Sequence, residues 1–198
     1  MVPVITISCK KSAVELNKIT GDADVSMNSV HPVTKVTYPF YSEMSGPFTI
    51  FPVSATIVKD HQDFCFSFAT PFPLQTGVVE GYDNLTLPFP DRFFDGTLNF
   101  TGQGNDAMFG TATVQTSVFS DPVDPNTGDF YGAEDFTGTF QITCGTGHYL
   151  NATGGGTYTA HSDYTPPTVN GALFSGSTTL TATGTVSVVP KNGKLTSQ

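Results

Sequence analysis

The sequence predicts an all-β fold in a single domain, and three observations lead to it. Stretches in which apolar and polar residues alternate recur along the chain, a pattern typical of half-buried strands. Thr is abundant and there are 20 Gly and 14 Pro, a composition that favours strands and turns over helices. No linker divides the 198 residues, and an all-β fold of this length is commonly one domain.

The elements are expected in the following order. The N-terminal segment 1–19 carries a strand over 2–8 and one helical turn over 12–17, and 190–198 forms a polar tail. The other predicted strands cover 19–27, 33–44, 48–58, 64–69, 96–101, 109–118, 136–144, 157–160 and 177–189. Roughly nine to eleven strands joined by short turns indicate a barrel or a sandwich.

Four stretches are predicted to interrupt the strands. Ser45-Gly46-Pro47 is a turn signal, and 60–63 reads as a polar corner. The stretch 71–96 is rich in Pro and aromatic residues. Because Pro is kept out of sheet centres while large apolar side chains must cover something, a long aromatic loop over the mouth of the scaffold is expected there. A further loop is expected at 161–176.

Charge and hydropathy limit the partners. The net charge is −9 with only 8 Lys and Arg, and these form no cluster, so neither nucleic acid nor an anionic membrane is expected. No run of about 18 apolar residues predicts a transmembrane segment. No signal peptide is visible at the start, so a cytoplasmic protein and the mature form of a secreted one are both compatible with the sequence.

Metal and thiol chemistry are not favoured. Cys9, Cys65 and Cys144 lack a CxxC spacing, and three buried thiols are favoured over one disulfide plus a free thiol. The histidines lack zinc-ligand spacing, and no cofactor motif appears. In the acidic insertion 120–135, a weak alternative is a calcium loop, although a solvated loop is favoured. Its oxygen ligands would be Asp124, Asn126 and Asp129.

The most patterned stretch is 136–160, where an alternating strand runs into a glycine-rich corner and a returning strand. Its run ITCGTGHYLNATGGGTY (142–158) resembles the glycine-cornered hairpin of the allene oxide cyclase and dirigent superfamily, and more closely that of bacterial allene-oxide-cyclase-like proteins. The hairpin FDGTLNFTG (94–102) before it and the strand TATGTVSV (181–188) after it fit the same order. Cys144 stands where that pattern usually has its first Gly.

This resemblance implies an eight-stranded antiparallel, calycin-like barrel with an apolar lumen, often assembled as a homodimer or homotrimer. Barrels of this size are filled by side chains or hold one small ligand. Phe side chains on the strands are expected to line the ligand site: Phe40, Phe51, Phe64, Phe66, Phe68 and Phe140. Polar groups in or near the lumen are the catalytic candidates: Tyr41, Glu43, His61, Glu80, Tyr82 and Arg92.

The first functional hypothesis is therefore a cofactor-independent cyclase or isomerase. Its substrate would be a small hydrophobic molecule, held in a reactive conformation by aromatic walls that exclude water. A second hypothesis is a non-catalytic secreted β-protein, a surface or assembly module that calcium could stabilise. A third is a carrier of a hydrophobic ligand, which differs from the cyclase only in lacking turnover.

Overall fold

The alternating segments form one closed antiparallel barrel in the computed structural model, which describes residues 34–120 and 132–189. Each strand pairs with the next, and the last pairs with the first to close the barrel. The eight strands are β1 (Val36–Pro52), β2 (Ile57–Thr70), β3 (Leu74–Asn84), β4 (Phe93–Gly102), β5 (Ala107–Ser120), β6 (Ala133–Thr146), β7 (Thr153–Thr165) and β8 (Phe174–Val188).

The predicted all-β fold and the eight-stranded antiparallel barrel are thus confirmed. The barrel belongs to a unit that begins at Lys35. The predicted strands over 2–8 and 19–27, the helical turn and the polar tail lie outside the described residues. A single domain over 1–198 therefore stays a prediction.

Two of the predicted breaks are wrong, because both lie inside strands. Residues 45–47 pair with β8 without interruption. Against β2, Ser45 and Phe48 are paired, whereas residues 46 and 47 have no paired residue. Pro47 is tolerated there because it lies where the ladder to β2 is interrupted. The expected polar corner 60–63 lies within β2. Asp60 and Gln62 point inward, and His61 and Asp63 point outward.

The predicted aromatic loop 71–96 is also mostly strand. Strand β3 runs from Leu74 to Asn84 and β4 begins at Phe93, so the loop between them covers only residues 85–92. The four prolines of this stretch lie before β3 or in the shorter loop, where they remove no ladder hydrogen bond. The predicted loop 161–176 shrinks in the same way, because β7 continues to Thr165 and β8 begins at Phe174.

Large side chains and glycines share the interior. Inward residues of all eight strands form the hydrophobic core, and glycines stand opposite several of its rings. A Cβ at Gly81 would lie 2.2 Å from the Phe93 ring, and one at Gly138 would lie 2.4 Å from the Tyr158 hydroxyl. Glycine is therefore required at these positions to make room for the rings. A cavity of only about 50 Å³ remains at the centre.

Most of the described threonines lie on the outer face, with the buried Thr178 as an exception. Cross-strand pairs connect neighbouring strands, such as Thr113 with Thr139 at 2.8 Å and Thr116 with Thr137 at 2.7 Å between hydroxyl oxygens. A β-branched side chain that presents a hydroxyl to water suits the solvated face of a sheet. The alternation in the sequence is thus the alternation between an aromatic interior and a threonine-rich exterior.

The barrel has two different ends. The connections β2–β3, β4–β5 and β6–β7 come together at the closed end. The short 3₁₀ turn Gly147–Tyr149 belongs to the β6–β7 connection and contacts the other two. The Tyr149 side chain is 0% exposed, and its hydroxyl donates to the Phe72 carbonyl at 2.7 Å. The open end lies where β1, β3, β5 and β7 finish and β2, β4, β6 and β8 begin.

The cysteines differ from the expectation of three buried thiols. Cys65 is an exposed free thiol on β2, and Cys144 at the end of β6 is disulfide-bonded. An outward position on a solvated barrel face explains the exposure of Cys65, because its neighbours Phe64 and Phe66 occupy the inward positions. Cys9 lies outside the described residues.

Candidate functional site

A pocket of about 410 Å³ lies at the open end. Seven of the eight strands or their connecting loops contribute to it, because their inward positions converge where the barrel stops. Its walls are apolar and aromatic, and its floor is polar. The wall residues are Ile50, Val58, Leu85, Phe119 and Phe174, and the polar lining is Asp83, Arg92, Glu134 and Tyr164.

Below this pocket lies a layer of carboxyl groups on inward positions of three strands. Asp60 on β2, Asp83 on β3 and Glu134 on β6 all border one small cavity of about 30 Å³. Asp83 and Glu134 also border the open-end pocket, whereas Asp60 borders the apolar cavity at the barrel centre. The layer thus separates the open pocket from the aromatic core.

Asp83 and Arg92 form the ion pair of this layer. The Arg92 Nε lies 3.3 Å from Asp83 Oδ1, and its guanidinium carbon lies 5.2 Å from the centre of the Phe89 ring. Burial raises the pKa of Asp83 above its ordinary value, although the Arg92 charge opposes this shift. The ring and the carboxylate together fix the position of the guanidinium.

Glu134 is held by two hydroxyl groups. Tyr164 donates from its hydroxyl to Glu134 Oε2 at 2.6 Å, and Ser117 donates to Oε1. Burial and the nearby Glu134 charge raise the pKa of Tyr164 above its ordinary range, so the phenol stays a neutral donor. The Tyr164 ring packs edge-on against Phe48 and Phe174, with centroid distances of 4.9 and 6.1 Å.

Asp60 has one satisfied and one unsatisfied carboxyl oxygen. Gln62 donates from Nε2 to Asp60 Oδ2 at 3.0 Å, while Oδ1 is buried and accepts no hydrogen bond from the described residues. Burial, together with the nearby Asp83 and Glu134 charges, raises the pKa of Asp60 to about 7. Such a carboxyl group can donate or accept a proton near neutral pH.

Of the six predicted catalytic residues, the structure places only Arg92 in the lumen. The prediction that Tyr41 and Glu43 lie in or near the lumen is wrong. Both residues lie on the outer side of β1. There the Tyr41 hydroxyl donates to Glu43 Oε1 at 2.5 Å. Inward positions of the same strand hold Phe40 and Met44 instead.

His61, Glu80 and Tyr82 also lie on the outer face, on β2 and β3. His61 Nδ1 and Lys59 Nζ each lie 2.7 Å from Glu80 Oε1. Partial burial opposes the shift, but these two hydrogen bonds hold the pKa of Glu80 below its ordinary value. Tyr82 stacks on Phe94 with a centroid distance of 5.6 Å. His61 and Glu80 were predicted separately and lie in contact on the outer face, and a catalytic role for either stays a prediction.

Four of the six predicted wall residues face inward, namely Phe40, Phe64, Phe66 and Phe140. Phe51 shares the outward parity of Thr49 on β1. Phe68 is 49% exposed, because the register between β1 and β2 shifts at Glu43 and Met44. One extra residue reverses the side to which the following side chains point. Phe68 therefore stacks near Tyr41 outside the barrel.

Sequence reasoning missed four residues of the carboxyl layer: Asp60, Asp83, Glu134 and Tyr164. Two of them carried a usable signal. Asp60 has the parity of the inward Phe64, and Glu134 has the parity of the inward Phe136. A carboxylate in the inward register of a Phe-rich strand is unusual and indicates a buried polar group. Asp83 and Tyr164 carried no such signal, because the stretches that contain them, 71–96 and 161–176, were predicted to be loops.

The described residues contain neither a metal-binding group nor a membrane-spanning helix. Within residues 34–120 and 132–189, no group of three or more His, Cys, Asp or Glu side chains is arranged to hold a metal ion. The calcium candidates Asp124, Asn126 and Asp129 lie outside these ranges and stay a prediction. Among the same residues, no helix is long and apolar enough to cross a membrane.

No family profile, curated protein or solved structure matches this chain. The resemblance to the allene oxide cyclase and dirigent superfamily therefore stays a prediction, and the site has to be interpreted from its own geometry.

Proposed function

We propose that this barrel is a cofactor-independent isomerase or cyclase that binds a small, mainly apolar molecule in the open-end pocket. The observation that carries the proposal is Asp60. It is a buried carboxyl group with an unsatisfied oxygen and a pKa of about 7, placed beneath an apolar pocket that is open to solvent.

The volumes of the two cavities in the lumen favour the open end as the ligand site. The central cavity of about 50 Å³ has room for a few water molecules but not for a ligand body. The open-end pocket of about 410 Å³ has the size of a small-molecule site. The ligand body therefore lies at the open end, and only a small polar tip or a water molecule reaches the carboxyl layer.

The carboxyl layer supplies the chemistry. An isomerisation or cyclisation leaves the oxidation state of the molecule unchanged, so a proton donor and a proton acceptor are sufficient for it. Asp60 can release or take up a proton near pH 7. Glu134, fixed by Tyr164 and Ser117, is placed to stabilise positive charge that develops on the substrate.

Binding can be tested with the neutral fluorescent probe N-phenylnaphthylamine. Leu85→Asp puts a charge into the pocket wall and is expected to weaken binding about tenfold or more. Leu150→Asp is the matched control, because Leu85 is 48% and Leu150 43% exposed but Leu150 lies at the closed end. Equal binding by both variants and the unmodified protein would exclude the open-end pocket.

Catalysis can be tested on molecules that bind, including any that co-purify. Because an isomerisation leaves the mass unchanged, products are followed by NMR. Asp60→Asn is expected to retain binding and to lose turnover by a factor of about a hundred or more. If Asp60→Asn converts the substrate as fast as the unmodified protein, the proposed proton transfer is wrong.

A carrier is the second candidate, and the pairing within the layer favours it. Asp83 has Arg92, and Glu134 has Tyr164 and Ser117. Such pairing also suits a polar layer that only orients a bound molecule. Ligands that bind at the open end and are recovered unchanged after long incubation would select the carrier.

A further inference from the structure

The floor of the open-end pocket has an excess of negative groups. Asp83 and Glu134 line the pocket itself, and Asp60 lies directly below them. Among the described residues that line these two cavities, Arg92 is the one cationic side chain. The chain as a whole has a net charge of −9, so the wider field has the same sign as the floor.

The hydrogen-bonding capacity of the floor points the same way. Arg92 Nε lies 3.3 Å from Asp83 Oδ1 without a hydrogen bond between them, and the guanidinium packs on the Phe89 ring, so an incoming anion would meet the Asp83 carboxylate beside this cation. Glu134 accepts two hydrogen bonds, fewer than a carboxylate can accept. Among the described residues, Asp60 Oδ1 and Asp83 Oδ1 are buried and accept no hydrogen bond, and Arg92 Nε donates none. The unsatisfied acceptors of the floor thus outnumber its one unsatisfied donor.

The walls suit a cation as well. Phe119, Tyr164 and Phe174 line the pocket above the carboxyl groups. Aromatic faces attract organic cations electrostatically, and the attraction is stronger in a partly dehydrated site. The same rings pack against an apolar ligand body, so a single molecule can use both properties.

We infer that the open-end pocket binds an organic cation, with its apolar body between the aromatic walls and its protonated amine above Glu134 and Asp83. The inference rests on the proposed function only in using the same pocket. The N–H groups of the ammonium donate to the carboxylate oxygens, and its charge balances the excess negative charge of the floor. A carboxylic acid ligand would instead bring a fourth carboxyl group to a floor where three already outnumber the Arg92 cation.

Three probes with a similar skeleton separate charge from size: phenethylammonium, phenethyl alcohol and phenylacetate. Their dissociation constants are measured near neutral pH by calorimetry or ligand-observed NMR. The ammonium is expected to bind about tenfold or more tightly than the alcohol, and phenylacetate most weakly. Glu134→Gln is expected to remove most of the preference for the ammonium and to leave binding of the alcohol unchanged.

Glu43→Gln is the matched control. Glu43 accepts a hydrogen bond from Tyr41 at 2.5 Å, as Glu134 does from Tyr164 at 2.6 Å, but it lies outside the barrel. The Glu43 variant is expected to keep the full preference for the ammonium. If Glu134→Gln does not fold, as judged by circular dichroism, Asp83→Asn is used and is expected to reduce the preference in the same direction, because Asp83 also lines the pocket.

The outcomes distinguish the inference from the proposed function. If the alcohol or phenylacetate binds as tightly as the ammonium, the cation assignment is wrong although the pocket binds small molecules. A preference for the ammonium that survives in both inner variants also contradicts it. If none of the three probes binds, the pocket assigned under the proposed function fails, and the cation assignment fails with it.

Discussion

The two ends of the barrel are built from the same eight strands but differ in how their buried polar groups are satisfied. At the closed end, Tyr149 is fully buried and its hydroxyl is satisfied by the Phe72 carbonyl. At the open end, Asp60 has a buried oxygen with no donor, beneath a pocket that admits solvent. The closed end contributes packing to the fold, whereas the open end leaves polar groups unsatisfied. Such unsatisfied groups are expected where a ligand binds rather than where a fold is stabilised.

Exposed apolar side chains follow the same division. Most of the large hydrophobic residues that stay exposed lie on the loops and strand ends around the open end. They are Val53, Leu85, Leu87, Phe94, Val118, Phe119, Val169 and Leu173, against Val36, Phe68 and Leu150 nearer the closed end. A wide apolar rim around an apolar pocket gives a hydrophobic molecule a continuous route from the surface.

The largest effect is expected at the closed end. Tyr149→Ala removes a fully buried aromatic ring, and it is expected to lower the free energy of unfolding by about 3–5 kcal/mol. The measurement is chemical denaturation followed by circular dichroism. Leu150→Ala, at the adjacent exposed position, is the control and is expected to cost less than about 1 kcal/mol. Similar losses for both variants would show that Tyr149 does not hold this end together.

The next effect is a pH dependence that comes from the open end. The pKa of Asp60 is about 7 in the folded chain and about 3.9 in an unfolded one. Between these values the folded state binds more protons, so stability falls as the pH rises from about 4 to about 7. Asp60→Asn removes this loss, so it is expected to be more stable at pH 8, by at most about 4 kcal/mol.

The comparison is made by thermal or chemical unfolding across pH 4 to 8. Asp63→Asn is the control on the outer face of the same strand, where the side chain is 58% exposed, and it is expected to change stability by less than about 1 kcal/mol. A variant Asp60→Asn that is less stable than the unmodified protein at pH 8 would contradict the assigned burial of this charge.

The smallest effect compares two similar hydrogen bonds on opposite sides of the barrel wall. Tyr164→Phe removes a donor from the inner Glu134, and Tyr41→Phe removes one from the outer Glu43. The inner change is expected to cost about 1–2 kcal/mol, because water cannot freely replace the donor. The outer change is expected to cost less, because water can replace the donor on the exposed face. Equal costs in denaturation experiments would mean that Glu134 is as well solvated as Glu43.

Much of the fold could be predicted from local pattern. The alternation around Phe40 and Phe140 identified real strands and their inward faces. The predicted strands 96–101 and 109–118 and the glycine corner after β6 are present as expected, with Gly147 at φ 63° in the left-handed region. Turn signals were less reliable, because 45–47 and most of 71–96 continue as strand. Proline and glycine mark where a ladder is interrupted, and a barrel can absorb such an interruption without ending the strand.

The candidate site was predicted poorly for a physical reason. The chosen polar residues were mostly those whose parity is opposite to that of the Phe residues, such as Tyr41 and His61, and this parity places them outside. The carboxyl layer consists instead of polar residues that share the parity of the core. Only Arg92 was both predicted and found there.

The sequence by itself determined an all-β chain with aromatic and threonine-rich faces, because a period of two is a local property of each strand. Only the tertiary structure decided which polar groups meet. Pairing of β2 with β3 brings Asp60 and Asp83 together, and Glu134 on β6 joins them only when the sheet closes into a barrel. The pairing of β1 with β2 decided that Phe68 lies outside, because one register shift turns it away from the lumen.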